Sequence, residues 1–347
     1  MSHAARTALV LQGGGALGAY ELGAARALYE NGDFAPDIIA GVSIGAITAA
    51  LLARPARGRT PLQALEAFWE KITMPGSFLP AALQASFFGN PNFFVPRHDY
   101  FSLPSWTYLY DTSPLRQTLS ELVDLTALAD RDALPGLLVS ATNVEEGQIE
   151  PFYSGDKETS LSLDHIVASG SLPPSFPMTS IGGKSYWDGG VFDNTPLGAV
   201  LDKLDKKVGV DRTIYVVNLF PNKGPIPTSL IEVVQRVQNL QFANKTAEDL
   251  KLLHRFDQVA ALMNVLKTWP GGNPLEGNKV YEKVESENYI VVPRIVSITN
   301  PSHIGALDGS DFSAETIRRR AEEGYNQTKK ALRECDNVTS PCSSPSS

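Results

Sequence analysis

The chain has 347 residues, of which 43% are hydrophobic and 20% charged, and its 38 acidic against 30 basic side chains give a formal net charge of -8. That balance argues against nucleic acid as a partner, because phosphate binding needs clustered Lys and Arg. No stretch of about 18 consecutive apolar residues is present, which excludes a spanning helix on length. The length itself fits one large α/β core with appended elements.

Residues 1–6 (Met-Ser-His-Ala-Ala-Arg) run straight into Thr-Ala-Leu-Val-Leu-Gln at 7–12, which reads as a short buried strand. They leave no room for a charged segment followed by an apolar one, so no secretory signal is expected, and the expected location is cytoplasmic, with peripheral membrane contact at most. Gly13, Gly14 and Gly15 follow, and 18–30 carries apolar residues at helical spacing. Glycines at a helix start leave backbone N–H groups free where the helix dipole favours negative charge, which makes Gly13, Gly14 and Gly15 the candidate oxyanion hole. A second strand at 38–40 leads into Gly41-Val-Ser-Ile-Gly45. Gly-x-Ser-x-Gly allows a serine to sit on a sharp strand-to-helix turn, since Gly41 and Gly45 relieve its crowding, so Ser43 is the candidate nucleophile. Small apolar residues at 44–53 predict a helix packed tightly on the sheet, broken by the prolines and arginines of 54–61.

Ten aromatics, including Phe78, Phe87, Phe88, Phe93, Phe94 and Trp106, crowd into residues 78–110 among Pro, Asn and Gly. Their density without a period predicts a long irregular excursion that contacts lipid and forms an acyl-chain entrance, with Phe93, Phe94 and Trp106 at its surface; an ordinary core cluster is the alternative. Regularity returns with a helix at 114–122, strands at 137–142 and 149–153, and a short helix at 163–169 capped by Ser162 or Asp164. Tyr186 and Trp187 end a strand at Asp188-Gly189-Gly190. Runs of β-branched residues at 213–219 and 289–298 predict two more strands. Between them 230–266 is helical, with Val233, Val234, Val237, Leu240, Leu252, Leu253 and Phe256 recurring at three and four. A last amphipathic helix covers 314–333, and the Ser- and Pro-rich tail at 337–347 is expected to be disordered. Cys335 and Cys342 are expected to be incidental, outside the core and outside any metal-ligand spacing, so no metal and no cofactor is expected. Strands alternating with helices predict an α/β fold, a mostly parallel central sheet covered by helices on both faces. Gly13–Gly18, Ser43 and Asp188 would then converge at one sheet edge.

Three chemistries compete for these residues. Gly13-x-Gly15-x-x-Gly18 also fits a dinucleotide fingerprint, with Asp37 near the ribose-binding position, but Asp37 precedes the second strand instead of ending it. An α/β-hydrolase triad finds its order in Ser43, Asp188 and His303, yet that fold places several strands before its elbow and this chain has one. His98, His165 and His254 sit in no motif. A third chemistry uses Ser43 and Asp188 alone.

On that last reading the sequence resembles the patatin-like phospholipase family. Gln-Gly-Gly-Gly-Ala-Leu-Gly (12–18) matches its oxyanion loop, Gly-Val-Ser-Ile-Gly-Ala (41–46) its nucleophile elbow, and Asp188-Gly189-Gly190 its dyad motif. Residues 168–177 and 194–197 are similar to its flanking blocks. Asp311-Phe-Ser and the helix after it resemble the C-terminal extension of a bacterial subgroup. Gln12 and Leu17 stand where plant members carry Asp and Arg, so backbone N–H groups are left as the donors. The resemblance implies a catalytic domain at 6–220, an extension at 221–336 packed on the same core, and a lipid acyl hydrolase working through an acyl-serine. Substrates would be lipid or fatty-acyl esters; an acyltransferase or a silent lipid-binding protein would share the same site. An Asp of ordinary pKa, about 3.9, is a poor base for a hydroxyl, so the reading requires Asp188 to be desolvated.

Overall fold

A computed structural model describes residues 5–76, 79–205, 210–288, 293–305 and 307–336. The chain begins with the expected alternation of β1 (Thr7–Leu11), α1 (Ala19–Tyr29), β2 (Ile38–Gly41) and α2 (Ile44–Ala53), followed by two helices not expected from the sequence, α3 (Pro61–Ile72) and α4 (Ala81–Phe88). A two-residue hairpin, β3 (Val95–Pro96) and β4 (Tyr110–Asp111), precedes α5 (Ser113–Leu122) and α6 (Leu125–Leu128). Then come β5 (Gly136–Asn143), β6 (Gln148–Tyr153), α7 (Leu163–Ser169), β7 (Thr179–Ile181), β8 (Lys184–Asp188), α8 (Leu197–Lys203) and β9 (Thr213–Asn218). The chain closes with α9 (Leu230–Lys267), α10 (Lys279–Asn288), β10 (Arg294–Thr299) and α11 (Ala314–Asp336).

The central sheet has the order β10-β9-β1-β2-β5-β8-β7, with β6 on β5. From β10 to β5 the pairs are parallel; β8, β7 and β6 are added antiparallel. β2 and β5 are buried along their whole length, so β2 and the 137–139 part of β5 read as apolar runs instead of alternating ones, while Ser140, Thr142 and Asn143 are buried polar residues in the rest of β5. Successive side chains of β1 enter different cores. Leu9 and Leu11 join the larger cluster under α1, α2 and α3, whereas Ala8 and Val10 meet Leu197 and Val200 of α8 on the other face. Helices thus cover both faces of a mostly parallel sheet.

Several expectations change here. The segment 78–110 is no single excursion: α4 and the small hairpin give it structure, and Phe93 and Phe94, each 7% exposed, sit in the main core. Their rings meet Phe176 and Phe312 at 5.4–6.4 Å between centroids, so these two phenylalanines face the interior and not lipid. Trp106 lies half-buried with the Arg97 guanidinium 4.6 Å from its ring centre. Phe87 and Phe88 are the exposed pair, at 68% and 66%; Phe78 lies outside the described residues. α9 forms as the spacing predicts, yet Val233, Val234 and Val237 face solvent while Asn239 is buried. The apolar recurrence on α9 therefore does not mark its packed face. The side chains of Leu252, Leu253, His254 and Phe256 lie outside the described residues, as do 289–292, part of the expected last strand, and the tail with Cys342. Cys335, expected outside the core, is buried in it at the end of α11.

Candidate active site

β2 ends at Gly41, and the chain turns through Val42 into α2 with Ser43 as its N-cap. Ser43 has φ 56° and is the one non-glycine with positive φ among the described residues. A side chain held in that region is strained, and such strain persists only where the surroundings enforce it. The two glycines of the motif make the turn sterically feasible. A Cβ on Gly41 would lie 2.1 Å from the Gly45 carbonyl oxygen, and one on Gly45 would lie 2.5 Å from that of Leu11. The Ser43 N–H donates to the Ser169 carbonyl and hydroxyl oxygens, both at 3.0 Å, and the buried Ser169 hydroxyl donates in turn to the Ser140 carbonyl. Ser169 belongs to α7 and Ser140 to β5, so the elbow is fixed from outside its own segment.

Asp188 arrives from the opposite direction. β8 is antiparallel to β5 and pairs Asp188 with Ala141, while Gly41 of β2 pairs with Val139. Asp188 therefore sits two residues beyond the end of β2, level with Ser43. The convergence expected at one edge is real, but it depends on β5 extending past its parallel neighbour and not on a shared strand direction. Asp188 is 2% exposed; its carboxylate accepts from the Gly190 N–H at 2.7 Å and lies beside the Ser43 hydroxyl. Burial pushes its pKa up to about 7, against the Ser43 hydroxyl and the Gly190 N–H, which act to lower it. Gly189 is required by a close approach, since a Cβ there would lie 2.5 Å from the Ser140 carbonyl oxygen. Gly190 supplies the N–H.

The glycine loop lies against both groups. A Cβ on Gly13 would lie 2.4 Å from Asn194 Oδ1 and 2.9 Å from Ser43 Cβ. The Gly13 N–H donates to the Asn194 carbonyl at 3.3 Å, and Asn194 Nδ2 donates to the Gly13 carbonyl at 3.0 Å. Gly13 is thus engaged in holding the loop, while the Gly14 and Gly15 N–H groups have no backbone acceptor among the described residues. Gln12 is the buried hub beneath them. Its Nε2 donates to the Thr195 hydroxyl and the Phe242 carbonyl, and its Oε1 accepts from the N–H groups of Leu219 and Phe220. Ser169, Asn194 and Gln12 were not singled out as site residues in the sequence; 168–177 and 194–197 stood out only as blocks, and their polar side chains inside apolar surroundings were the available signal.

The rival chemistries fare poorly on geometry. Asp37 accepts from the Arg6 and Thr7 N–H groups at 2.7 and 2.9 Å, at the entry to β2 and not at its carboxyl end. His165 is buried against Phe152 with Nδ1 on Ser162, and its desolvation lowers its pKa. His98 and His303 are exposed.

The patatin-like phospholipase family profile matches residues 9–201, more than half of the chain. The chain belongs to that family. No curated protein sequence matches it significantly. Among solved structures it is similar to VipD from Legionella pneumophila, with 16% identity over 96% of this chain and 67% of that one and a TM-score of 0.39. It is also similar to a chain of the heterodimeric ExoU–SpcU complex from the type III secretion system of Pseudomonas aeruginosa, with 20% identity, 82% and 61% coverage and a TM-score of 0.34. The protein therefore spans about three fifths of the length of that second chain. Membership of this family makes lipid esters the substrate class. Among the described residues no helix is long and apolar enough to cross a membrane.

Proposed function

We propose that this protein is a lipid acyl hydrolase in which Ser43 and Asp188 form a catalytic dyad and the Gly13–Gly15 loop provides the oxyanion hole. One observation carries the reading: the Asp188 carboxylate is 2% exposed, level with Ser43 and beside its hydroxyl, and burial pushes its pKa up to about 7. A base matched to neutral pH is what proton abstraction from a hydroxyl needs, and here the low dielectric supplies the match without a histidine. As Ser43 Oγ attacks the ester carbonyl, its proton moves to Asp188 and the carbonyl oxygen becomes an oxyanion facing the N–H groups of Gly14 and Gly15. Collapse of the tetrahedral intermediate breaks the ester C–O bond, and the proton on Asp188 passes to the departing alkoxide. Water then attacks the acyl-serine, Asp188 takes its proton, and the fatty acid is released as Ser43 Oγ recovers a proton.

A fluorophosphonate probe should label Ser43 and no other residue, and the wild type should release fatty acid from phospholipid, lysophospholipid or soluble ester. Ser43→Ala should lose both properties while its circular dichroism is unchanged. Wild-type protein that takes up no label and cleaves none of the three classes contradicts the reading. Acyl transfer to an added alcohol exceeding release to water would reassign the second half-reaction and keep the dyad.

A further inference from the structure

Asp311-Phe-Ser and the helix behind it have no part in that chemistry, yet they reach the glycine loop. The 3₁₀ turn Asp308–Ser310 packs between the turn Gly15–Gly18 and α4. At Gly15, which has φ +58°, an added Cβ would lie 2.5 Å from the Gly309 carbonyl oxygen. Gly309 is thus the wall against which the loop rests.

That wall is itself pinned. Asp308 Oδ2 accepts from the Gly305 N–H at 2.6 Å, and Oδ1 faces the Arg320 guanidinium at 3.4 Å. Arg320 also donates to the Asp311 carbonyl, and the Asp311 carboxylate accepts from Thr316 Oγ1 and the Ser313 N–H. Arg320 is 4% exposed and rides on α11, which is locked to α1 at two glycine crossings. A Cβ on Gly23 would lie 1.7 Å from the Ala321 carbonyl oxygen, and one on Gly324 would lie 2.0 Å from that of Tyr20. Because α1 follows directly on the glycine loop, the contacts close a circuit: loop, α1, α11, Arg320, Asp308 turn, and back to Gly15. Burying an arginine on a partly desolvated pair is weak evidence of stabilisation, since an apolar residue often serves as well. Fixing a position is the role that such a pair fills better.

We infer that Arg320, acting through Asp308 and the Gly309 carbonyl, is a positioning residue that holds the Gly14 and Gly15 N–H groups on the developing oxyanion. The inference rests on the proposed role of those two glycines. It also assigns a task to the segment beyond β9: it completes the oxyanion hole from outside the family-matched region.

The test compares wild type, Arg320→Met and Asp308→Asn on a short soluble ester. Each is also titrated with a trifluoromethyl ketone of the same acyl chain, which forms a tetrahedral adduct on the serine, and with the free fatty-acid product as a control for ground-state binding. Misplaced donors should lower kcat by about tenfold or more and weaken the ketone by the same factor. KM and product affinity should stay within about twofold, at a temperature where melting curves show all three folded. Arg320→Lys should recover part of the loss. Asp308→Asn keeps the acceptor for Gly305, so it reads the charge pair even if Arg320→Met fails to fold. Unchanged kcat and ketone affinity in folded variants overturn the inference, as do losses shared equally by KM, product and ketone, which would mean a merely structural role. A wild type without ester turnover would instead overturn the functional reading, and this inference with it.

Discussion

Two regions flank the turn Asp308–Ser310 and hold their shape by opposite means. On one side, the glycine loop, the elbow and the Asp188 turn are held by backbone approaches too close for any side chain and by hydrogen bonds to buried polar groups. On the other, the stretch from α4 to β4 is held by apolar packing, and it divides into a buried pair, Phe93 and Phe94, and an exposed pair, Phe87 and Phe88. In the proposed mechanism the first region places the reacting atoms. The second stabilises the fold through its buried half and leaves an apolar surface in its exposed half. Substitutions should therefore separate into losses of chemistry, losses of stability, and losses that only a lipid surface reveals.

The largest effect belongs to the first region. Asp188→Asn keeps an acceptor for Gly190 but removes the base, and kcat should fall by about 10³ or more, approaching the loss from Ser43→Ala, because the two side chains act as a unit. Steady-state kinetics on a soluble ester measures this. A loss smaller than about tenfold would remove Asp188 from the mechanism.

Phe93→Ser tests the buried half of the second region. Truncating a buried phenylalanine should cost about 3–5 kcal/mol in stability, read by denaturant melts, while turnover per folded molecule stays near that of wild type on soluble ester and vesicles alike. A stable variant deficient only on vesicles would return Phe93 to the lipid-facing surface.

The smallest effect is the most selective. Phe87 and Phe88 changed together to Ser should leave the melting temperature and soluble-ester turnover unchanged and slow hydrolysis of phospholipid vesicles severalfold, since exposed aromatic rings insert readily at a bilayer interface. Equal rates on vesicles would leave these side chains without a role in lipid contact.

The same division explains what the sequence disclosed. Gly13–Gly15, Gly41-x-Ser43-x-Gly45 and Asp188-Gly189-Gly190 were legible because each writes its steric demand into residue type at a fixed spacing, although the atoms that impose it come mostly from distant segments, Gly309, Leu11 and Ser140 among them, and the structure brings all three blocks together. Parallel strands were legible for a similar reason, since burial on both faces writes itself as an unbroken apolar run. Which aromatic of 78–110 turns inward was not legible, because it depends on Phe176 and Phe312 from distant segments. The exposed valines of α9 misled for the same cause: a helical period gives a face but not the neighbour that covers it. α3 was missed although its start is explicit, with Thr60 and Gln63 in a capping box and Pro61 in the first turn. The prolines and arginines of 54–61 read as a break, whereas the capping box at its end restarts a helix. The antiparallel entry of β8, which decides the level of Asp188, leaves no mark in local sequence.

The proposed mechanism has a buried aspartate, unaided by histidine, set the reactivity of Ser43. The most direct test is the pH dependence of the second-order rate constant for inactivation by a fluorophosphonate, measured from pH 5 to 9. Ser43 should be activated only when Asp188 is ionised, so the rate should rise about tenfold per pH unit below a single limb near pH 7 and level off above it. In Asp188→Asn the rate should be low throughout and the limb absent, while His165→Ala and His303→Ala should retain it. A limb that survives in Asp188→Asn, or vanishes in either histidine variant, would contradict the account.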